Sequence, residues 1–127
     1  MRDSTLLLYA LFTMRKIEQQ MVKAIRNGVA WSSGNTCTTF NHDDDTLVFL
    51  HGHHIATVCK DGTVKVCDAG WQTNTTKSRL NAIIKEFYDY ASGIFQKDFD
   101  WFIDDELGTR DMYTKQWYTL GALNIGC

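Results

Sequence analysis

The stretch I-A-T-V-C-K-D-G-T-V-K-V-C-D, from Ile55 to Asp68, runs on into G-W-Q-T-N-T-T-K-S-R-L-N, from Gly70 to Asn81, and this junction decides the fold. Two β-branched runs, 55–60 and 63–68, flank Asp61-Gly62, the dipeptide that suits a two-residue hairpin turn. In that register Cys59 faces Val64, Thr57 faces Val66 and Ala56 faces Cys67. Ile55, Cys59, Val64 and Val66 then share the core face, with Val58 and Cys67 opposite. After Gly70-Trp71 the period changes from two to 3.6, which predicts a helix over 76–90. Thr75 or Thr76 caps it, and Leu80, Ile83, Ile84, Phe87 and Tyr88 lie on its inner side.

Working outward, Thr36–Phe40 and Thr46–His51 read as strands. Phe95, Lys97, Phe99, Trp101 and Ile103 alternate with Gln96, Asp98, Asp100 and Phe102, which predicts one strand with an aromatic face. Asp104 or Asp105 is expected to cap a short helix reaching Trp117. Upstream, an apolar stripe through Leu7, Leu11, Met14, Ile17, Met21, Ala24 and Ile25 predicts a helix from Ser4 to Asn27, ended by Asn27-Gly28. The expected fold is α+β in one domain, 1–127. It has a long N-terminal helix and a small antiparallel sheet of about four or five strands packed against the helix near 76–90.

Composition agrees with one globular domain. The chain has 127 residues, 44% hydrophobic and 22% charged, with no proline, which excludes a disordered or collagen-like chain. A net charge of −2 announces neither nucleic acid nor a membrane surface. The apolar run 5–14 falls short of the roughly 20 residues that span a bilayer. Asp3 before it and Arg15-Lys16 after it argue against a secretory leader. Cys37, Cys59, Cys67 and Cys127 form no C-x-x-C pair and read as thiols in a reducing compartment.

Several residue groups are candidates for chemistry. Cys37, His42, His51, His53, His54, Cys59 and Cys67 are metal-ligand types, but they lack knuckle spacing, so no metal and no cofactor is expected. No glycine-rich phosphate loop and no local nucleophile–base pattern is present, so no catalytic residue is assigned. Thr75, Thr76, Lys77 and Arg79 put hydroxyls and two cations at a helix start, where amides also point outward. That is a candidate anion or nucleic-acid seat, unless the cations face water or pair with acids.

Residues 86–111 carry eight acids and two bases, interleaved with aromatics. Glu86, Asp89, Asp98, Asp100, Asp104, Asp105 and Glu106 are candidate protein-contact residues, against the reading of a plain solvated face. The first half of the N-terminal helix is apolar nearly all round, so Leu6, Leu8, Tyr9 and Phe12 are candidate homodimer contacts.

The segments L-H-G-H-H-I-A, D-G-T-V-K-V, G-W-Q-T-N-T-T-K-S-R-L-N and F-Q-K-D-F-D-W-F resemble a family of small proteins of tailed bacteriophages, including phages of marine hosts. The likeness runs from about Asn35 to Ile103, leaving the first helix and the tail as additions. The family pattern has G-G-W where this chain has Ala69-Gly70-Trp71. The resemblance implies a protein made in the host cytoplasm and brings no activity with it. Two readings follow. The leading one is a non-enzymatic accessory protein that binds a host protein through the acidic-aromatic stretch, a surface able to imitate nucleic-acid charge, and inhibits or redirects it. The other is a nucleic-acid-binding module built on T-T-K-S-R.

Overall fold

A computed structural model describes residues 14–121. In chain order the elements are α1 (Lys16–Asn27), β1 (Trp31–Ser33), β2 (Thr36–Phe40), β3 (Thr46–Leu50), β4 (His53–Val58), β5 (Val64–Val66), α2 (Asn74–Phe87), β6 (Gly93–Lys97), β7 (Asp100–Asp105), β8 (Gly108–Asp111) and β9 (Tyr118–Thr119). An antiparallel sheet has the order β1-β2-β3-β4-β5-β9, and a second has the order β6-β7-β8. The α+β class stands, with two sheets in place of one.

Met14 and Arg15 are not helical, so the expected helix over 4–27 is not continuous. Arg15 is the N-cap of α1, and its N–H donates to Glu18 Oε1 at 3.2 Å. The dimer candidates Leu6, Leu8, Tyr9 and Phe12 lie outside the described residues. The described helix is no appendage. Met21, Val22 and Ile25 are buried in one cluster with Leu80, Ile83 and Ile84 of α2. That cluster continues through Val48, Val64 and Val66 of the first sheet and Ile94, Trp101 and Ile103 of the second. Helix α2 touches β4, β5 and β6, and so ties the two sheets together.

The β4–β5 hairpin has one more loop residue than expected. Cys59 N–H donates to Thr63 O and Gly62 N–H to Cys59 O, which makes a three-residue loop with Gly62 at φ 95°. Val58 therefore pairs with Val64, and Ala56 with Val66. One residue of slip exchanges faces. Val64 and Val66 keep the core side, but Val58 takes the place expected for Cys59.

The aromatic alternation also folds differently. Instead of one strand it is a hairpin, with Phe95 paired to Phe102 and Lys97 to Asp100. The loop is Asp98-Phe99, both with positive φ, as a tight two-residue hairpin turn requires. Residues 104–117 form no helix. Asp105 Oδ1 accepts the Leu107 N–H, Gly108 at φ 103° turns the chain, and β8 pairs with β7. Tyr118 and Leu120 are buried, and β9 closes the edge of β5.

On the outer face of the first sheet His54 lies between Phe49 and Trp117, with ring centroids 5.2 and 4.7 Å away. Its Nε2 donates to Ala56 O at 2.9 Å. Burial pushes its pKa below the usual 6.5. The unfolded chain then takes up a proton at higher pH than the folded chain does. The contribution of His54 is complete above about pH 6.5 and is lost as the pH falls through its folded pKa. Urea midpoints measured from pH 7.5 down to 5 are expected to fall, and to fall less in His54→Gln.

Candidate functional site

The T-T-K-S-R-L-N segment is built into the interior. Thr73 is the N-cap of α2, and its Oγ1 accepts the Thr76 N–H at 3.1 Å. The helix thus starts earlier than expected, and Arg79 falls in its second turn, facing inward. Arg79 is 3% exposed and Glu18 is 2% exposed. Arg79 Nη1 donates to Glu18 Oε2 at 2.7 Å, and Nε donates to Thr36 Oγ1 at 3.0 Å. Ser78 Oγ donates to the same Glu18 oxygen at 2.5 Å.

Asn81 clasps β6, its Nδ2 donating to Ile94 O at 2.9 Å and its Oδ1 accepting the Ile94 N–H at 2.6 Å. Lys77 Nζ lies 5.9 Å from the Trp101 ring centre. The expected anion seat of Thr75, Thr76, Lys77 and Arg79 is therefore not assembled. Thr76 is buried, Lys77 lies over an indole, and Arg79 is committed to a carboxylate, because each serves packing between α1, α2 and the sheets.

Just before α2 the backbone bends sharply. Ala69 has φ 55° and Gly70 φ 91°, the left-handed region that costs a residue with a Cβ about 1–2 kcal/mol. Ala69→Gly is expected to raise stability by about 0.5–1 kcal/mol, after the added unfolded-state entropy of glycine is subtracted. Chemical denaturation of the two proteins reads the difference.

The seven acidic candidates separate into two groups. Glu86 is buried and ion-paired with Arg26. Asp105 is buried, 2.7 Å from Arg110 Nη2, and accepts the Gly121 N–H at 2.9 Å. Asp89 accepts the Ala91 N–H within a turn. Glu106 lies by Tyr88, and burial together with this carboxylate pushes the phenol up to about 12. Glu86 and Asp105 are interior and serve the fold, so as contact residues they are corrected, whereas Asp89 and Glu106 remain exposed.

Asp98, Asp100 and Asp104 belong to the β6–β7 hairpin. Strand alternation puts Asp100, Phe102 and Asp104 on the side away from the buried Trp101 and Ile103. Cross-strand pairing adds Phe95 and Lys97 from β6 and Asp111 from β8 to that outward side. Phe95 and Phe102 stack with centroids 5.4 Å apart. At the hairpin tip Phe99 is 91% exposed with φ 72°. The result is a phenylalanine patch bordered by aspartates. The sequence offered a sign of the turn in Asp98, since aspartate tolerates φ > 0, but nothing in it pointed to a bulky aromatic at the next position.

A concavity elsewhere on the molecule went unread in the sequence. A cleft of about 400 Å³ opens between the β3–β4 turn and the start of α2, lined by Leu50, Ile55, His53, Asp68, Trp71 and Thr75 among others. Among the described residues no group of three or more histidine, cysteine, aspartate or glutamate side chains is placed to hold a metal ion. No described helix is long and apolar enough to cross a membrane.

No curated protein and no solved structure matches this chain. Among protein families, the one described as Kyanoviridae Gp96 protein matches residues 14–123, a span that takes in α1 and the tail through β9 as well as the segments between them. With the match covering all of the described residues, the chain belongs to the Kyanoviridae Gp96 family of phage proteins.

Proposed function

We propose that this phage protein is a non-enzymatic accessory factor. It acts in the host cytoplasm by docking the outward face of β6–β8 onto a host protein, which it inhibits or redirects. The observation that carries the reading is Phe99, fully presented to solvent from a left-handed turn position. Such a conformation is costly for an aromatic residue, and costly conformations concentrate where function uses them. Phe95 and Phe102 extend the apolar centre, and Asp98, Asp100, Asp104 and Asp111 border it. An apolar centre with a charged rim is the anatomy of a protein interface.

The complementary partner offers an apolar pocket rimmed by lysine and arginine, the surroundings of a site that otherwise takes nucleic-acid phosphate. The acidic rim speeds encounter, and that effect weakens with salt. The reading of the chain as a nucleic-acid binder loses one of the two cations of T-T-K-S-R, because Arg79 is interior. The test is capture of a single stoichiometric protein from host lysate by the wild-type chain and loss of that capture in Phe99→Gly. Equal capture of the same protein by both would sink the assignment to this face.

A further inference from the structure

We propose that the cleft between the β3–β4 turn and the start of α2 binds a small planar heterocycle with an N–H donor on its edge, the chemistry of a nucleobase. Asp68 is fully buried and lines the cleft. Its Oδ1 is fully used, accepting from Gly70 N–H at 2.8 Å, Lys115 N–H at 2.8 Å and Thr114 Oγ1 at 3.2 Å. Its Oδ2 has no hydrogen-bond partner among the described residues.

A buried acceptor without a donor is costly, and a carboxylate accepts only, so the group that completes it must be a donor. The neighbours select the rest of the ligand. Leu50, Ile55 and the Trp71 indole make most of the wall area apolar among polar His51, His53 and threonine side chains, which suits a ring with a polar edge. The Trp71 side chain is 57% exposed, with His53 beside it at 6.1 Å between ring centroids. An indole presented this way is a stacking platform for a flat π-system.

The start of α2 borders the cleft through Thr75, whose N–H lies in the first turn and has no intrahelical acceptor. The partial positive charge there disfavours a free ammonium as the donor. It suits a neutral edge on which an acceptor sits next to an amino group, as on adenine or cytosine. The volume lies within the range of small-molecule sites. None of these residues belongs to the outward face of β6–β8.

The experiment is titration of the full chain with adenosine and cytidine, followed by tryptophan fluorescence, each beside its counterpart dimethylated on the exocyclic nitrogen. Asp68→Asn keeps an oxygen for the three donors at Oδ1 and replaces Oδ2 with an NH₂ group. Trp71→Ala alters a side chain that is mostly solvent-exposed. Saturable binding of at least one nucleoside is expected. Dimethylation and Asp68→Asn are each expected to weaken it at least about tenfold, a difference of 1.4 kcal/mol, and calorimetry is expected to show the same order of loss in Trp71→Ala. Circular dichroism of both variants checks that the fold is kept. No saturable binding of either nucleoside at millimolar concentration overturns the proposal. So does binding that dimethylation or either substitution leaves unchanged.

Discussion

Arg79→Ala is expected to lower the stability of the folded chain by about 3–5 kcal/mol, the range for breaking one side of a buried ion pair. The guanidinium joins three elements, holding Glu18 of α1 and Thr36 of β2 from its place on α2. Among the described residues, its removal leaves the Glu18 carboxylate in the interior with the Ser78 hydroxyl and the Arg15 amide as its donors. Those two donors solvate the charge without neutralising it. A domain of this size has a total stability of about 5–15 kcal/mol, so the loss is expected to appear as a large fall in the urea midpoint and in soluble yield.

The geometry gives the experiment a control. Arg79→Lys retains the charge but cannot reach carboxylate and hydroxyl together as the planar fork does, so it is expected to lose less than alanine. Glu18→Ala alone is costly for the reciprocal reason. The double variant Glu18→Ala/Arg79→Ala is expected to lose less than the sum of the two single changes, because each single change strands a charge that the double removes. An Arg79→Ala protein within about 0.5 kcal/mol of wild type, the range of ordinary surface changes, would show that the pair does not hold α1 to α2.

The same pair shows what could be read from sequence and what could not. Helix α2 and strands β2 and β3 were legible, because burial imposes its period on them. Val64 and Val66 were assigned to the core for the same reason. For Arg79 the alternatives stayed open, because a cation near a helix start looks alike whether it faces water or a carboxylate 61 residues away in sequence. Burial of a charge is decided by tertiary partners, and no local pattern encodes them. The T-T-K-S-R-L-N signature is therefore largely a packing signature. Thr76 lies under the cap, Leu80 is in the core, and Asn81 holds β6.

Turn geometry set the remaining limits. Asp61-Gly62 marked the β4–β5 hairpin correctly, but whether its loop has two or three residues depends on a backbone bond from Gly62 to Cys59. The Phe95–Ile103 alternation continued without a break through a reversal of direction. A two-residue turn keeps the parity of a strand pattern, so alternation alone cannot show that the chain has doubled back. The seven acidic candidates of residues 86–111 are not equivalent in the fold. Arg26 and Arg110 neutralise Glu86 and Asp105 from distant or later elements. The aspartates left on the hairpin are those on the outward side and in the loop.

Phe99→Gly is expected to make the protein more stable while abolishing most of its capture of a host protein. Phe99 sits at the second central position of the two-residue loop, with φ 72°, after Asp98 at φ 51°. Asp-Gly is a preferred pair for such a turn, since the second position tolerates no Cβ without strain. Releasing that strain is worth about 1–2 kcal/mol, partly offset by about 0.5–1 kcal/mol of glycine entropy. Little burial is lost, because the ring is 91% exposed. A higher urea midpoint at unchanged slope is the expected readout.

In a complex the same ring would be the anchor of the apolar centre, and such anchors cost about 2 kcal/mol or more when truncated, at least about thirtyfold in affinity. Asp100→Asn is expected to act otherwise, slowing association at low salt with little effect on stability. Opposite signs for stability and binding at one residue distinguish a strained contact residue from a strained turn without a role. A Phe99→Gly protein that is both more stable and equally competent in capture would place the partner's contact elsewhere on the molecule.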